Sequence, residues 1–135
     1  MHVNIDHLKQ QHRISQAIFS LHRGDAEKAK TQLRDATAIA QEIWPTVQAN
    51  PSLRPGSYSS ALEELGEALV FQVFLEERRL ASRDEMPLLN AEEFLGGVLD
   101  FTGELNRYAV QRATARDVEE VQRCKVGRSA RGREF

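Results

Sequence analysis

The 135-residue chain has little of what marks secreted or membrane proteins. Its one cysteine, Cys124, excludes an intrachain disulfide, and we therefore expect a reducing, cytoplasmic location. No apolar run approaches the ~20 residues that span a bilayer, and the first residues are too polar for a signal peptide. Strand-like alternation, internal repeats and low-complexity stretches are also missing. These absences favour one globular domain.

The net charge is also small, but it is unevenly distributed. A formal charge of -2 favours neither nucleic acid nor a membrane as partner. From Arg123 onward, however, the chain carries five basic residues and one acid. We predict a helical domain over residues 1–118 and a basic, flexible tail over residues 119–135. Such a tail is either a solvated end or an arm that contacts phosphates.

Apolar residues recur at helical spacing in the first third of the chain. The pattern predicts a first helix from near Val3 to Gly24, since glycine suits the left-handed position that ends a helix. Asp25 is suited to cap a second helix, which Pro45 should kink or end. These two helices form an antiparallel hairpin.

Two further long helices are predicted in the rest of the chain. One runs from about Tyr58 to Leu80, and the other from about Ala91 to Thr114 after a capping box formed by Asn90 and Glu93. The predicted class is all-α, an antiparallel helical bundle.

Two carboxylate pairs carry the functional signal. Glu64 and Glu67 are three residues apart in the third predicted helix, and Asp100 and Glu104 are four apart in the fourth. Both spacings put the members of a pair on one helix face. Brought together from two helices, four carboxylates would hold a hard cation, magnesium or manganese, which with an activated water cleaves a phosphodiester.

The same residues also allow plainer interpretations. Glutamates on a helix can form a solvated surface, and Arg107 can pair with Asp100 in a salt bridge; by spacing alone, metal and salt bridge are equally supported. Glycine inside a helix costs ~1 kcal/mol relative to alanine. Three glycines in the fourth helix therefore indicate the close approach of another helix or of a ligand: Gly96, Gly97 and Gly103.

Two segments resemble the translin family. Residues 62–74, Leu-Glu-Glu-Leu-Gly-Glu-Ala-Leu-Val-Phe-Gln-Val-Phe, are similar to its central helix, and residues 92–107 to its segment around Asp-Leu-Thr-Gly-Glu-Leu. The likeness is strongest to translin-associated factor X and its archaeal relatives. It implies an all-α subunit of a homo-oligomer that binds single-stranded RNA or DNA, and Mg2+-dependent endoribonuclease activity in the catalytic members. It also implies three catalytic carboxylates and a fourth acid of the same metal site: Glu64, Glu67, Asp100 and, as the fourth, Glu104.

The chain departs from the family pattern in two places. Family members continue after the region of Asp117 through further C-terminal helices, and the shorter C-terminus here predicts an apolar surface that another chain covers. Members also carry an Arg/His-rich stretch before the central helix. Here that stretch supplies only Arg54 and Tyr58, which together with Arg107 are the predicted nucleic-acid-binding residues.

The resulting hypothesis is a metal-dependent endoribonuclease that cleaves single-stranded RNA with little sequence preference, because the chain has no base-reading motif. Two alternatives stay open. One is a non-catalytic subunit that binds nucleic acid or promotes assembly, and the other is a purely structural helical module.

Overall fold

The computed structural model describes residues 2–114 and 117–125, with side chains from residue 6 onward. Within these residues the secondary structure consists of helices and turns without a strand, which confirms the all-α prediction. The helices are α1 (His2–His22), α2 (Ala26–Ala49), α3 (Ser59–Glu77), α4 (Ala91–Thr114) and a short α5 over residues 118–125. The main contacts join α1 to α2 and α3 to α4, and α3 also packs on α1 and α2.

The predicted hairpin between α1 and α2 is present. Gly24 adopts a φ of +78°, the left-handed conformation that ends α1. The Asp25 carboxylate then caps α2 by accepting a hydrogen bond from the Lys28 amide at 3.3 Å. Of the two outcomes predicted for Pro45, a kink or the end of α2, the end is wrong, because the helix continues to Ala49. Buried Ile43 and Val47 flank the proline, so packing holds the helix together beyond it.

The helix α4 has the bounds that its capping signals predict. The Asn90 amide donates to Glu93 Oε1 at 2.9 Å, and the Glu93 amide donates to Asn90 Oδ1 at 2.8 Å. This reciprocal pair satisfies amides that have no partner inside the helix. The helix α3 instead ends at Glu77, earlier than the predicted Leu80, because Arg78 takes a left-handed φ of 56°.

The backbones of α3 and α4 meet at glycines. A Cβ atom added to Gly97 would lie 2.9 Å from both the Glu63 carbonyl oxygen and the Glu67 amide nitrogen. The predicted close approach is therefore present at Gly97 and also at Gly96, which lies against the Glu63 side chain. It is absent at Gly103, where a Cβ would meet no described atom within 4 Å.

The segment 119–125, predicted to belong to a flexible tail, is helical. The Asp117 carboxylate accepts from the Glu120 amide at 3.2 Å and so caps α5. Glu120 is buried and pairs with Arg78 and with Arg123, and Cys124 is buried as well rather than lying in a polar tail. The remaining part of the predicted tail, residues 126–135, lies outside the described residues. None of the helices in the described segments is long and apolar enough to cross a membrane.

Candidate functional site

Acidic side chains of α3 and α4 gather beside the glycine contact. Glu64 and Glu67 are half-buried on α3, and Asp100 is exposed on α4. Glu63, which was not among the predicted site residues, lies in the same place: a Cβ on Gly96 would come within 1.9 Å of Glu63 Oε1. We call Glu63, Glu64, Glu67 and Asp100 the acidic cluster.

Glu67 has the most perturbed carboxylate of the cluster. Burial, followed by the negative charges of Glu104, Asp100 and Glu64, raises its pKa to about 7, and Arg107 offsets only part of this effect. A carboxyl group with such a pKa exists in both protonation states near neutral pH. Glu67 is therefore able to hold or to accept a proton under physiological conditions.

The other two glutamates of the cluster are shifted in the same direction. Burial raises the pKa of Glu64, and Asp100 and Glu63 raise it further. Burial also raises the pKa of Glu63, and there the charges of Asp100 and Glu93 add to it. Carboxylates of both helices thus repel one another across the contact, as groups that share one electrostatic environment do. The adjacent pair Glu63-Glu64, opposite the glycines of α4, was the sequence signal for the missed residue.

Glu104, the fourth predicted acid, has partners of its own. Its Oε2 atom lies 2.6 Å from His22 Nε2, and its Oε1 atom accepts from Arg107 Nη1 at 2.8 Å. A hydrogen bond from His22 to this oxygen needs the imidazole proton on Nε2, because a carboxylate oxygen accepts. The predicted alternative, a salt bridge between Arg107 and Asp100, is therefore wrong. Arg107 pairs with Glu104, which is closer along the helix.

The acids do not converge on one point. Among residues 2–114 and 117–125, no three histidine, cysteine, aspartate or glutamate side chains lie close enough together to hold a metal ion. The cluster nevertheless has the donor chemistry of a magnesium site, because its oxygens come from carboxylates whose mutual repulsion a cation would relieve. Binding an ion there requires the side chains to rotate toward one another.

Comparison with known proteins identifies the family of the chain. The sequence profile of the translin family matches residues 5–129. The chain belongs to the translin family. Its fold is similar to that of a crystal structure of apo-NeC3PO, with a TM-score of 0.80 and 21% sequence identity; the match covers 89% of this chain and 63% of that one. The chain thus spans somewhat less than two thirds of the solved relative. A search of curated proteins found no match.

Two of the predicted nucleic-acid-binding residues of this translin-family chain have structural roles instead. Tyr58 is completely buried and donates its hydroxyl to the Ala40 carbonyl at 3.2 Å, so its ring cannot stack on a base. Arg54 forms two hydrogen bonds with Glu93, at 2.6 and 3.1 Å, and also donates to the Leu88 carbonyl. Its guanidinium therefore already forms hydrogen bonds within the protein. Of the three predicted residues Arg107 is the most exposed, with a side chain that is 71% exposed against 24% for Arg54.

Arg54 belongs to a network that fastens the start of α3 to the start of α4. Its partner Glu93 is 2% exposed and also accepts from the Ser59 hydroxyl at 2.7 Å and from the Asn90 amide. Burial acts to raise the pKa of Glu93, but the hydrogen bonds from Arg54, Asn90 and Ser59 outweigh it, and the pKa is lowered. This carboxylate is compensated, unlike those of the acidic cluster.

Proposed function

We propose that this translin-family chain binds single-stranded RNA and cleaves it at the acidic cluster in a reaction that depends on Mg2+ or Mn2+. The observation that carries the proposal is the uncompensated negative charge between α3 and α4, expressed in the pKa of about 7 at Glu67. Translin-family proteins bind nucleic acids and form oligomers. A cytoplasmic location and a place in the catalytic branch of the family are part of the proposal.

The ligands in this proposal are Glu64, Glu67 and Asp100, with Glu104 at the edge of the set. When bound, magnesium or manganese supplies an activated water and offsets the charge that develops on the phosphate. Arg107 lies one turn from Glu104 and, with its exposed guanidinium, is placed to contact a phosphate oxygen of the strand. His22 and Arg107 hold the Glu104 carboxylate between α1 and α4 and so fix that edge of the site.

The direct test is cleavage of an unstructured oligouridine RNA with Mn2+, with EDTA as the blank. We expect Glu67→Gln and Asp100→Asn to lower the rate by about 100-fold or more, because each removes a negative ligand without changing side-chain size much. Glu76→Gln is the matched control, since Glu76 is an exposed glutamate on the same helix outside the cluster. Wild-type rates in both cluster variants would refute the assignment.

A second candidate is a subunit that binds strands without cleaving them. It is favoured by the two hydrogen bonds that already occupy Glu104 and by the lack of three converging ligands in the described residues. Such a subunit would retain RNA in a salt-dependent manner, would be indifferent to EDTA, and would show no cleavage at any manganese concentration.

Homo-oligomer formation belongs to the same proposal. The outer face of α4 exposes three apolar side chains at helical spacing, Leu95, Leu99 and Val110, with exposed fractions of 41, 54 and 65%. Gly103 lies on this face and leaves space for a close neighbour. This arrangement supports the expectation of an apolar surface covered by another chain. A solution mass above that of one chain, reduced by Leu99→Lys, is the expected result of light scattering.

A further inference from the structure

A groove of about 370 Å³ lies between α1 and α4, and its lining includes Glu104, whose charge acts on Glu67 of the acidic cluster. Phe19, His22 and Arg23 line it from the end of α1, and Glu104 and Arg107 line it from α4. The role proposed above for the acids does not use Phe19 or Arg23. Both are in the part of the chain where sequence reasoning predicted only a helix hairpin.

Phe19 is a large apolar side chain in an unusual position. It is 60% exposed, although burying a phenylalanine stabilises a fold by roughly 1.5–3 kcal/mol. The Arg23 guanidinium lies over its ring, 4.5 Å from the centroid. The guanidinium thus covers one face of the ring and places a positive charge on it at the groove, while the side chain as a whole stays 60% exposed to a ligand.

The charge of the groove suits an anion despite the presence of Glu104. The hydrogen bonds from His22 and Arg107 satisfy both oxygens of that carboxylate. Arg23 and Arg107 contribute two positive charges against the single negative charge of Glu104, so the lining is positive overall. It adjoins the acidic cluster, which by itself would repel a nucleic acid.

We propose that this groove binds a single nucleic-acid strand, with a base stacked on Phe19 and with Arg23 and Arg107 against its phosphates. Aromatic stacking combined with basic groups is how proteins hold single strands without reading their sequence. The inference rests on the proposed function and deepens it, because it names where the substrate enters. It also replaces Arg54 and Tyr58, which the fold has committed to structural contacts.

The groove lies at a useful distance from the acids. Arg107 and Asp100 are seven residues apart on α4, or about 10 Å along the helix axis. A stacked strand rises about 3.4 Å per nucleotide, so this separation corresponds to about three nucleotides. A strand that follows α4 with one phosphate on Arg107 therefore brings a phosphate about three nucleotides away to Asp100.

The test measures binding of fluorescently labelled oligouridine in EDTA by anisotropy, apart from any cleavage. We expect Phe19→Leu to weaken binding about tenfold, since stacking contributes ~1–3 kcal/mol per base. Wild-type protein should bind an abasic strand of equal length more weakly than oligouridine, and Phe19→Leu should bind both alike. Arg23→Gln should reduce the slope of log K against log salt by about 0.7.

Arg13→Gln is the matched control, because Arg13 is an exposed arginine of α1 that lines a different groove. Unchanged binding by Phe19→Leu, or an equal loss in Arg13→Gln and Arg23→Gln, would overturn the inference. The proposed nuclease fails separately: it is refuted when Glu67→Gln and Asp100→Asn both cleave at the wild-type rate, even where Phe19→Leu binds weakly. Wild-type protein that does not retain oligouridine refutes both.

Discussion

Two glutamates at the contact between α3 and α4 are under opposite electrostatic conditions. Glu93 is almost completely buried, yet its pKa is lowered, because Arg54, Asn90 and Ser59 all donate hydrogen bonds to it. Glu67 is less buried, yet its pKa rises to about 7, because burial is joined by three neighbouring acids and opposed only by Arg107. The degree of burial alone therefore does not decide the state of a carboxylate here.

The difference indicates a structural role for Glu93 and is consistent with the role proposed for the acidic cluster. The most buried glutamate, Glu93, receives hydrogen bonds from an arginine, an amide and a hydroxyl. Nearby, the glutamates of the acidic cluster repel one another and have no such partners among the described residues. Such repulsion destabilises the folded protein. Strongly perturbed carboxylates of this kind are concentrated at functional sites, which makes the cluster a candidate for one. Three substitutions test this difference: one removes the cation that pairs with Glu93, one separates α3 from α4, and one removes the charge of Glu67.

Removing the compensation should have the largest effect. Arg54→Ala leaves the Glu93 carboxylate buried without its cation, and we expect a loss of about 3–4 kcal/mol in the free energy of unfolding, measured by urea denaturation at pH 7. Arg79→Ala is the control, because Arg79 pairs with Glu85 on the surface and its loss should change stability little. Equal small effects of both substitutions would show that the network around Glu93 does not hold α3 to α4.

Separating the helices should have the next largest effect. A methyl group on Gly97 would press on backbone atoms of Glu63 and Glu67, which cannot rotate away, so we expect Gly97→Ala to destabilise the protein by about 2–3 kcal/mol. Gly103→Ala is the matched control on the same helix. Its methyl group meets open space, and alanine is the better helix former, so this variant should be more stable by about 0.5–1 kcal/mol. Thermal melts followed by circular dichroism would show the opposite signs.

Local signals predicted most of the helical framework. The Asn90–Glu93 capping box and the Gly24-Asp25 turn act within four residues of chain, and both are present. Pro45 was predicted to kink or end α2, and it does not end the helix, because packing of the residues on either side outweighs the lost hydrogen bond. The predicted start of the flexible tail, at residue 119, was too early, because Glu120 pairs with Arg78. These residues are 42 apart, and no local pattern indicates their contact.

The candidate site was predictable only as a set of helix faces. Spacing correctly indicated that Glu64 and Glu67 share a face, and the glycines indicated where α4 would approach α3. Pairing across the fold was not accessible in the same way: His22 and Glu104 are 82 residues apart, and Arg54 and Glu93 are 39 apart. Arg54 and Tyr58, predicted to bind nucleic acid, also form tertiary contacts of this kind, and nothing in the local sequence indicates them.

Removing the charge at Glu67 should have the smallest effect on stability, and its sign depends on pH. The raised pKa lets the folded protein hold a proton on Glu67 up to about pH 7, whereas the unfolded chain releases it near the usual glutamate pKa of 4.5. Between these values the folded state binds more protons, so stability falls as the pH rises. Glu67→Gln removes this loss. Without divalent ions, we expect the variant to gain about 1–2 kcal/mol relative to wild type between pH 4.5 and pH 8.

Urea denaturation in EDTA at a series of pH values measures this difference, and Glu76→Gln should follow the wild-type curve throughout. Parallel curves for Glu67→Gln and wild type would mean that Glu67 is not strained by its neighbours. Repeating the denaturation with magnesium then distinguishes simple charge repulsion at the cluster from a metal-binding site. A cation that binds the cluster should stabilise wild-type protein at pH 8 and leave Glu67→Gln nearly unchanged, because binding to the folded state alone raises its stability. If the stability difference between Glu67→Gln and wild type depends on pH but magnesium changes neither protein, the carboxylates do repel one another, and the cluster is not a metal site.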